Sequence, residues 1–357
     1  RYNNMTGELK HKIIDSITQN EDEEYCFKLC DGKCPMLDDN GLCEIHKNLG
    51  EDYLGVVCKQ FPRYSEYYGT IKESGIGLAC EEAARIILSE NRPFSMETAA
   101  CDEEYEPSSE YDSSFALQIF AAREAVFKIL AKESLSIHEK LIVILDMGSK
   151  IQQCINTDEY DNIKSVVNDY LKEGIAHTLD ETRNLSDSGQ FEDISLQQGI
   201  RQILYPYEEM EVLNPEWEVI LKDIIDSLFE QMSDEEYNIL NEEFGTYMVS
   251  RAYEYRQLLE YLVFRYFAKS IYDYDFLGKC QMLVTNFFVI RQMDIIRWLD
   301  NHREYSFKDR MDVVHIFSRQ VEYSEDNIEN LYEDFIFDDI FKTDSLIAIL
   351  WIDSENI

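Results

Sequence analysis

The stretch Ser136-Ile137-His138-Glu139-Lys140-Leu141-Ile142-Val143-Ile144-Leu145-Asp146-Met147, which runs on to Ile155, decides the fold class. Its apolar residues recur at helical spacing, with no strict alternation of the kind a half-buried strand shows. Ser136-x-x-Glu139 opens it as a capping box, in which the serine hydroxyl and the glutamate carboxylate each satisfy an otherwise orphaned backbone N–H. Residues 115–133 carry the same pattern on the N-terminal side. On the C-terminal side Ser233-x-x-Glu236 caps a further helix, and helices are predicted near 159–173, 193–203, 216–231, 308–322 and 343–352. Residues 248–270 and 275–300 are the longest. Only 14 glycines and 6 prolines punctuate 357 residues, which favours long helices over turn-rich β architecture. From about residue 115 onward the chain is therefore expected to be helical, without a parallel sheet. The polar stretch 180–192 reads as a loop, and no fixed-period repeat points to a solenoid.

The first hundred residues read differently. Residues 7–19 have helical spacing, Tyr25–Leu29 is extended, and residues 44–58 form a short helix and a loop. Asp38-Asp39-Asn40-Gly41 carries an Asn-Gly turn able to reverse a hairpin. Tyr68–Leu78 reads as loop or weak strand. A helix at 81–90 opens with two glutamates, suited to the positive end of its dipole. The acidic run 101–114 marks the expected boundary, giving a cysteine-rich module at 1–105 and a helical domain at 106–357. The expected fold is mostly α, with little β confined to the small module.

The formal charge of −38 repels phosphates, so a broad nucleic-acid surface is excluded, and an anionic membrane surface is disfavoured for the same reason. The acidity reads as a solvated surface, or as steering for a basic partner segment. No run approaches the roughly 18 apolar residues of a membrane span. The polar start at Arg1 has no signal-peptide core, which with the cysteine usage predicts a cytoplasmic protein. The chain does not open on Met, so its natural start is expected upstream.

Seven of the nine cysteines fall between Cys26 and Cys101. The core spacing is Cys34-x8-Cys43-x14-Cys58-x21-Cys80. Thiolates are the soft ligands of zinc and of iron–sulfur clusters, and four complete either shell. Cys26 and Cys30 could add ligands. Spacing alone also admits buried free cysteines and disulfides.

The surrounding residues carry a resemblance. Cys34-Pro35-Met36-Leu37-Asp38-Asp39-Asn40-Gly41-Leu42-Cys43-Glu44-Ile45 resembles an element of the flagellin lysine-N-methylase family. Leu49-Gly50-Glu51-Asp52-Tyr53-Leu54 with Val57-Cys58-Lys59-Gln60-Phe61-Pro62-Arg63 resembles a second, and Leu78-Ala79-Cys80-Glu81-Glu82-Ala83-Ala84-Arg85 a third. The three occur in order over about residues 25–95. Glu260-Tyr261-Leu262-Val263-Phe264-Arg265-Tyr266-Phe267 is similar to a helix of the same family. The resemblance implies S-adenosylmethionine-dependent methylation of lysine side chains of flagellin, with an iron–sulfur cluster implicated. It implies cluster ligands at Cys34, Cys43, Cys58 and Cys80, a [4Fe–4S] cluster or alternatively zinc, and family positions of cofactor-binding type at Arg63, Glu82 and Arg85. The family's further C-x3-CC-like element does not occur in these residues, and Glu81 stands where the family commonly has proline. The alternative is a metal-stapled helical adaptor without chemistry.

No G-x-G-x-x-G follows a strand and opens a helix. Cys26-x3-Cys30-x3-Cys34 is one residue longer than the radical-type motif. The histidines at 11, 46, 138, 177, 302 and 315 are scattered and read as surface or capping residues. No nucleophile–base pair can be read, so the catalytic residues are left unassigned. The aromatics Tyr253, Tyr255, Tyr261, Phe264, Tyr266, Phe267, Tyr272, Tyr274 and Phe276 read as helix packing, or as a groove whose faces hold a methylammonium or sulfonium cation.

Overall fold

The computed structural model describes residue 2 and residues 7–19, 25–30, 33–89, 91–92, 94–100, 112–187 and 194–355. It forms two compact units, Arg1–Tyr64 and Ser65–Ile357.

The first unit holds α1 (Glu8–Ser16), β1 (Ile17–Gln19), β2 (Tyr25–Phe27), α2 (Glu44–Leu49) and α3 (Val56–Gln60). The two short strands pair antiparallel, with Thr18 opposite Cys26. A core of Ile13, Met36 and Ile45 gathers Leu9, Ile17, Phe27, Cys34, Cys43, Leu49 and Leu54 around it. The expected reversal at Asn40-Gly41 is present. Gly41 takes φ +76°, a left-handed conformation that costs glycine little. Asp38 Oδ1 accepts from the N–H groups of Asn40 and Leu42 at 2.9 and 3.0 Å. The Leu42 N–H and the Lys47 ammonium hold the Asp38 carboxyl below its ordinary range.

The second unit opens with β3 (Arg63–Tyr68) and β4 (Ile71–Ile76), a hairpin turned at Gly69, followed by α4 (Glu81–Leu88). Helices complete it: α5 (Ser113–Leu130), α6 (Ile137–Asn156), α7 (Ile163–Asp169), α8 (Ile175–Asp187), α9 (Leu196–Glu208), α10 (Pro215–Ile224), α11 (Asp234–Met248), α12 (Ala252–Tyr266), α13 (Ser270–Asp273), α14 (Phe276–Asp300), α15 (Phe307–Val321), α16 (Glu325–Phe337) and α17 (Thr343–Glu355). α14 is buried around nearly its whole circumference, as expected of a central helix. It packs on α6, α15, α10 and α12. The capping boxes at Ser136/Glu139 and Ser233/Glu236 are formed as expected. Among the described residues no helix is long and apolar enough to cross a membrane.

Two details depart from the expectations. The stretch 180–192 is helical as far as Asp187, and residues 188–193 lie outside the described set. Its buried face is built from Thr178 and Thr182, the latter accepting a hydrogen bond from Trp351 Nε1 at 3.2 Å. Buried threonines give no apolar periodicity to read. α16 was not expected, because acids dominate it and its buried residues are only Asn327, Leu331 and Phe335. The two units divide at Tyr64, and residues 101–111 of the acidic run lie outside the described set. The hairpin and α4 belong with the helices because they share their packing. Tyr68 stacks on Tyr272 at 5.8 Å, Glu73 pairs with buried Arg123, and α4 packs on α15 and α12.

Candidate functional site

In the first unit the Asp38 turn brings Cys34 and Cys43 to the same side of the small core. Leu37 bridges to Cys43, and Glu44 N–H donates to the Met36 carbonyl at 2.8 Å. Both cysteines are half-buried, while Cys58 on α3 and the pair Cys26 and Cys30 are exposed. The Cys58 thiol is pushed up from its ordinary pKa, first by desolvation and then by Cys34 and Cys43. The Cys58 sulfur is thus costly to ionise alone, and a thiophilic cation would relieve that cost. The donor chemistry of the three sulfurs fits zinc or an iron–sulfur cluster. Among the described residues, no group of three or more His, Cys, Asp or Glu side chains is arranged to hold a metal ion.

Cys80 lies in the second unit, immediately before α4, in extended backbone. A polar network lies close to this segment. The Leu78 N–H reaches Tyr261 Oη at 3.4 Å. Tyr261 donates to Glu322 Oε2 at 2.8 Å, and Tyr266 to the same oxygen at 3.0 Å. Arg265 Nε lies 3.0 Å from that oxygen too. Glu322 Oε1 is buried and accepts no hydrogen bond among the described residues. The Tyr323 hydroxyl is pushed up by burial, relieved in part by Arg265, and pushed further by Glu322 and Cys80. That places the Cys80 thiol within electrostatic reach of Tyr323, the residue after Glu322.

A cleft of about 600 Å³ opens beside the same segment, lined by Glu81, Glu216, Arg297, Asp312, His315 and Arg319. His315 is bonded to the Ala79 backbone. Its pKa is pushed down, first by burial and then by Arg319, so the neutral imidazole prevails near neutrality.

The remaining predicted positions are placed simply. Glu82 and Arg85 form an exposed bidentate pair on α4, at 2.8 and 2.6 Å. Each moves the other's pKa in the expected sense, the carboxyl down and the guanidinium up. Arg63 is exposed at the start of β3. Of the histidines, His138 is not on the surface: its Nε2 lies 2.6 Å from Asp353 Oδ2 with both side chains buried. Tyr261 was visible in sequence as an aromatic of the resembling helix. Glu322 gave no signal, since it meets that helix only through the fold.

The architecture is that of a helical protein whose cysteines gather in the N-terminal unit and at the start of α4. The chain belongs to the FliB lysine N-methylase family: the model of that family's C-terminal domain matches residues 123–349. Similar proteins include the flagellar biosynthetic protein FliU of Salmonella muenchen, 37% identical over 59 residues, 16% of this chain and 35% of that protein. The lysine-N-methylase of Salmonella typhimurium is likewise 37% identical over 59 residues, 16% of this chain and 15% of its own length. The match thus spans well under half of either relative. No solved structure matches the chain.

Proposed function

We propose that this chain transfers a methyl group from S-adenosylmethionine to the ε-amino group of a lysine on a flagellin-like protein, in the cytoplasm. The family match over residues 123–349 is the observation that carries the reading. In the transfer, the lone pair of a neutral lysine amine forms a bond to the methyl carbon. The carbon–sulfur bond breaks, its electrons return to sulfur, S-adenosylhomocysteine leaves, and the ammonium product gives up a proton. Glu322 Oε1, buried with its acceptor capacity unspent, suits a group that holds the incoming ammonium or takes its proton. Tyr261 and Tyr266 fix the orientation of that carboxylate through its other oxygen.

Under this reading Cys34, Cys43, Cys58 and Cys80 are thiolate ligands of an iron–sulfur cluster, and Arg63, Glu82 and Arg85 contact the cofactor. A bound cluster would neutralise the four thiolates and hold the segments that carry them in place. The acidic surface suits a substrate presented on a basic segment.

The test incubates anaerobically reconstituted full chain, its iron and sulfide measured, with methyl-labelled S-adenosylmethionine and the flagellin of the same organism. Label on flagellin lysines is expected. Unlabelled flagellin in the presence of a verified cluster would defeat the methylase reading and leave the adaptor. Labelling that survives Cys58→Ala, with iron lost, would keep the methylase and remove the cluster from its reaction.

A further inference from the structure

Lys140 is an anomaly of the second unit. It stands among the first four residues of α6, where a cation opposes the positive end of the helix dipole. It is only 5% exposed, and a buried charge is costly unless it is paired. Yet no hydrogen bond acts on its ammonium, only burial and the charges of nearby groups. Burial, and then the nearby Arg256, push its pKa down, with Glu260, Glu133 and Glu139 opposing from beyond ion-pair distance.

The surrounding carboxylates are held elsewhere. Glu260 is bound to Arg256 at 2.8 Å. Glu139 is bound to the Ser136 N–H at 2.7 Å in the capping box. Glu133 is exposed at the rim. Arg256 is fixed on its other side by Asn91 Oδ1 at 2.8 Å and the Arg92 carbonyl at 3.2 Å.

Lys140 and Arg256 both line a cleft of about 340 Å³, within the size range of small-molecule sites. Ser136 contributes polar surface to it, and Leu135, Ile137 and Tyr253 contribute apolar surface. The cleft therefore has a cationic floor set at a helix N-terminus, a common way to receive an oxyanion, and one apolar flank.

We propose that this cleft binds a small oxyanion, a carboxylate or a phosphate, with Lys140 as its principal cation and Arg256 as the fixed second one. The site is independent of methyl transfer. An oxyanion held there would supply the acceptor that the Lys140 ammonium lacks and would favour the helix dipole as well.

The experiment titrates the full chain with inorganic phosphate, acetate and benzoate by calorimetry, with the thermal midpoint followed in parallel. At least one oxyanion is expected to bind and to raise the midpoint, as a ligand selective for the folded state must. Benzoate binding more tightly than acetate identifies a carboxylate with an apolar body. Phosphate binding most tightly identifies phosphate. Lys140→Met is expected to lose about tenfold or more in affinity, the size of a charge-assisted hydrogen bond, while remaining folded because it removes a buried charge. Glu133→Gln is expected to retain or tighten binding, since it removes a competing carboxylate. No oxyanion bound, or equal binding by a folded Lys140→Met chain, would overturn the proposal.

Discussion

Arg310 Nη1 lies 2.6 Å from Asp294 Oδ2, with the two side chains 1% and 0% exposed. The pair is the centre of a buried network. Arg310 Nε meets Glu254 Oε2 at 3.1 Å, and Tyr255 and Tyr305 both donate to Asp294. Burial alone raises the Asp294 carboxyl, an effect that Arg310 opposes. Removing one partner strands the other in the interior. Arg310→Leu or Asp294→Ala is therefore expected to cost about 3–5 kcal/mol of stability. The double substitution to apolar residues should cost less than the two single losses summed. Denaturant unfolding of the four chains, read as a double-mutant cycle, checks this.

Asp353 offers a pH prediction. Burial pushes its carboxyl up, but Arg291, His138 and Asn241 together hold it down at about 2. The folded pKa is below the unfolded value of 3.8, so its stabilisation is fully present above pH 4 and is lost as pH falls toward about 2. The amount is about 2 kcal/mol, from the size of that shift. Stability measured from pH 6 down to pH 2 should fall steeply. Asp353→Asn should be less stable at pH 6 and should show a shallower acid slope. An unchanged slope would dismiss Asp353 as a contributor to acid unfolding.

Gly148 marks where α6 crosses α14. A Cβ there would stand 2.5 Å from Cys280 Sγ and 3.2 Å from Cys280 Cβ. Neither atom can move far, because Cys280 is wholly buried on α14. Gly148→Ala is expected to destabilise by about 1–3 kcal/mol through overpacking, despite the better helix propensity of alanine. Cys280→Ala in the same chain should recover part of the loss. Thermal melts of the two single variants and the double variant decide it.

These relationships show which parts of the molecule are readable from residues in order. Helices such as α6 and α11 announce themselves because cap and apolar face lie within one short window. The Cys34–Cys43 turn is readable for the same reason, since Asp38, Asn40 and Gly41 carry it locally. α16 and α8 are not, because Asn327 joins only Leu331 and Phe335 on the buried face of the first and Thr178 and Thr182 line that of the second. Contacts across the fold have no local signature. The bond between Leu78 and Tyr261 spans 183 residues, and the His138–Asp353 pair spans 215. Glu322 is therefore visible only once α12 and the end of α15 are in place.

Glu322 carries the last prediction, which rests on the proposed methyl transfer. Its Oε2 is held by Tyr261, Tyr266 and Arg265, so the carboxylate is fixed in position. Its Oε1 is buried with no partner among the described residues. A carboxylate fixed at one oxygen, with the other buried and unpartnered, keeps acceptor capacity for a cation or a proton. Glu322→Gln keeps the shape and removes the charge. It is expected to lower methyl transfer to lysine about a hundredfold, the usual scale for losing a proton acceptor. Tyr261→Phe removes one of the bonds that hold the carboxylate and should have a smaller effect, with KM little changed. The readout that separates chemistry from structure is the split between kcat and KM, measured on a chain whose fold is verified by circular dichroism. In Glu322→Gln kcat should fall while KM stays near its wild-type value, the pattern of an interaction made only in the transition state. A folded Glu322→Gln chain with the wild-type rate would assign Glu322 to the support of α12 and α15 and place the proton acceptor elsewhere.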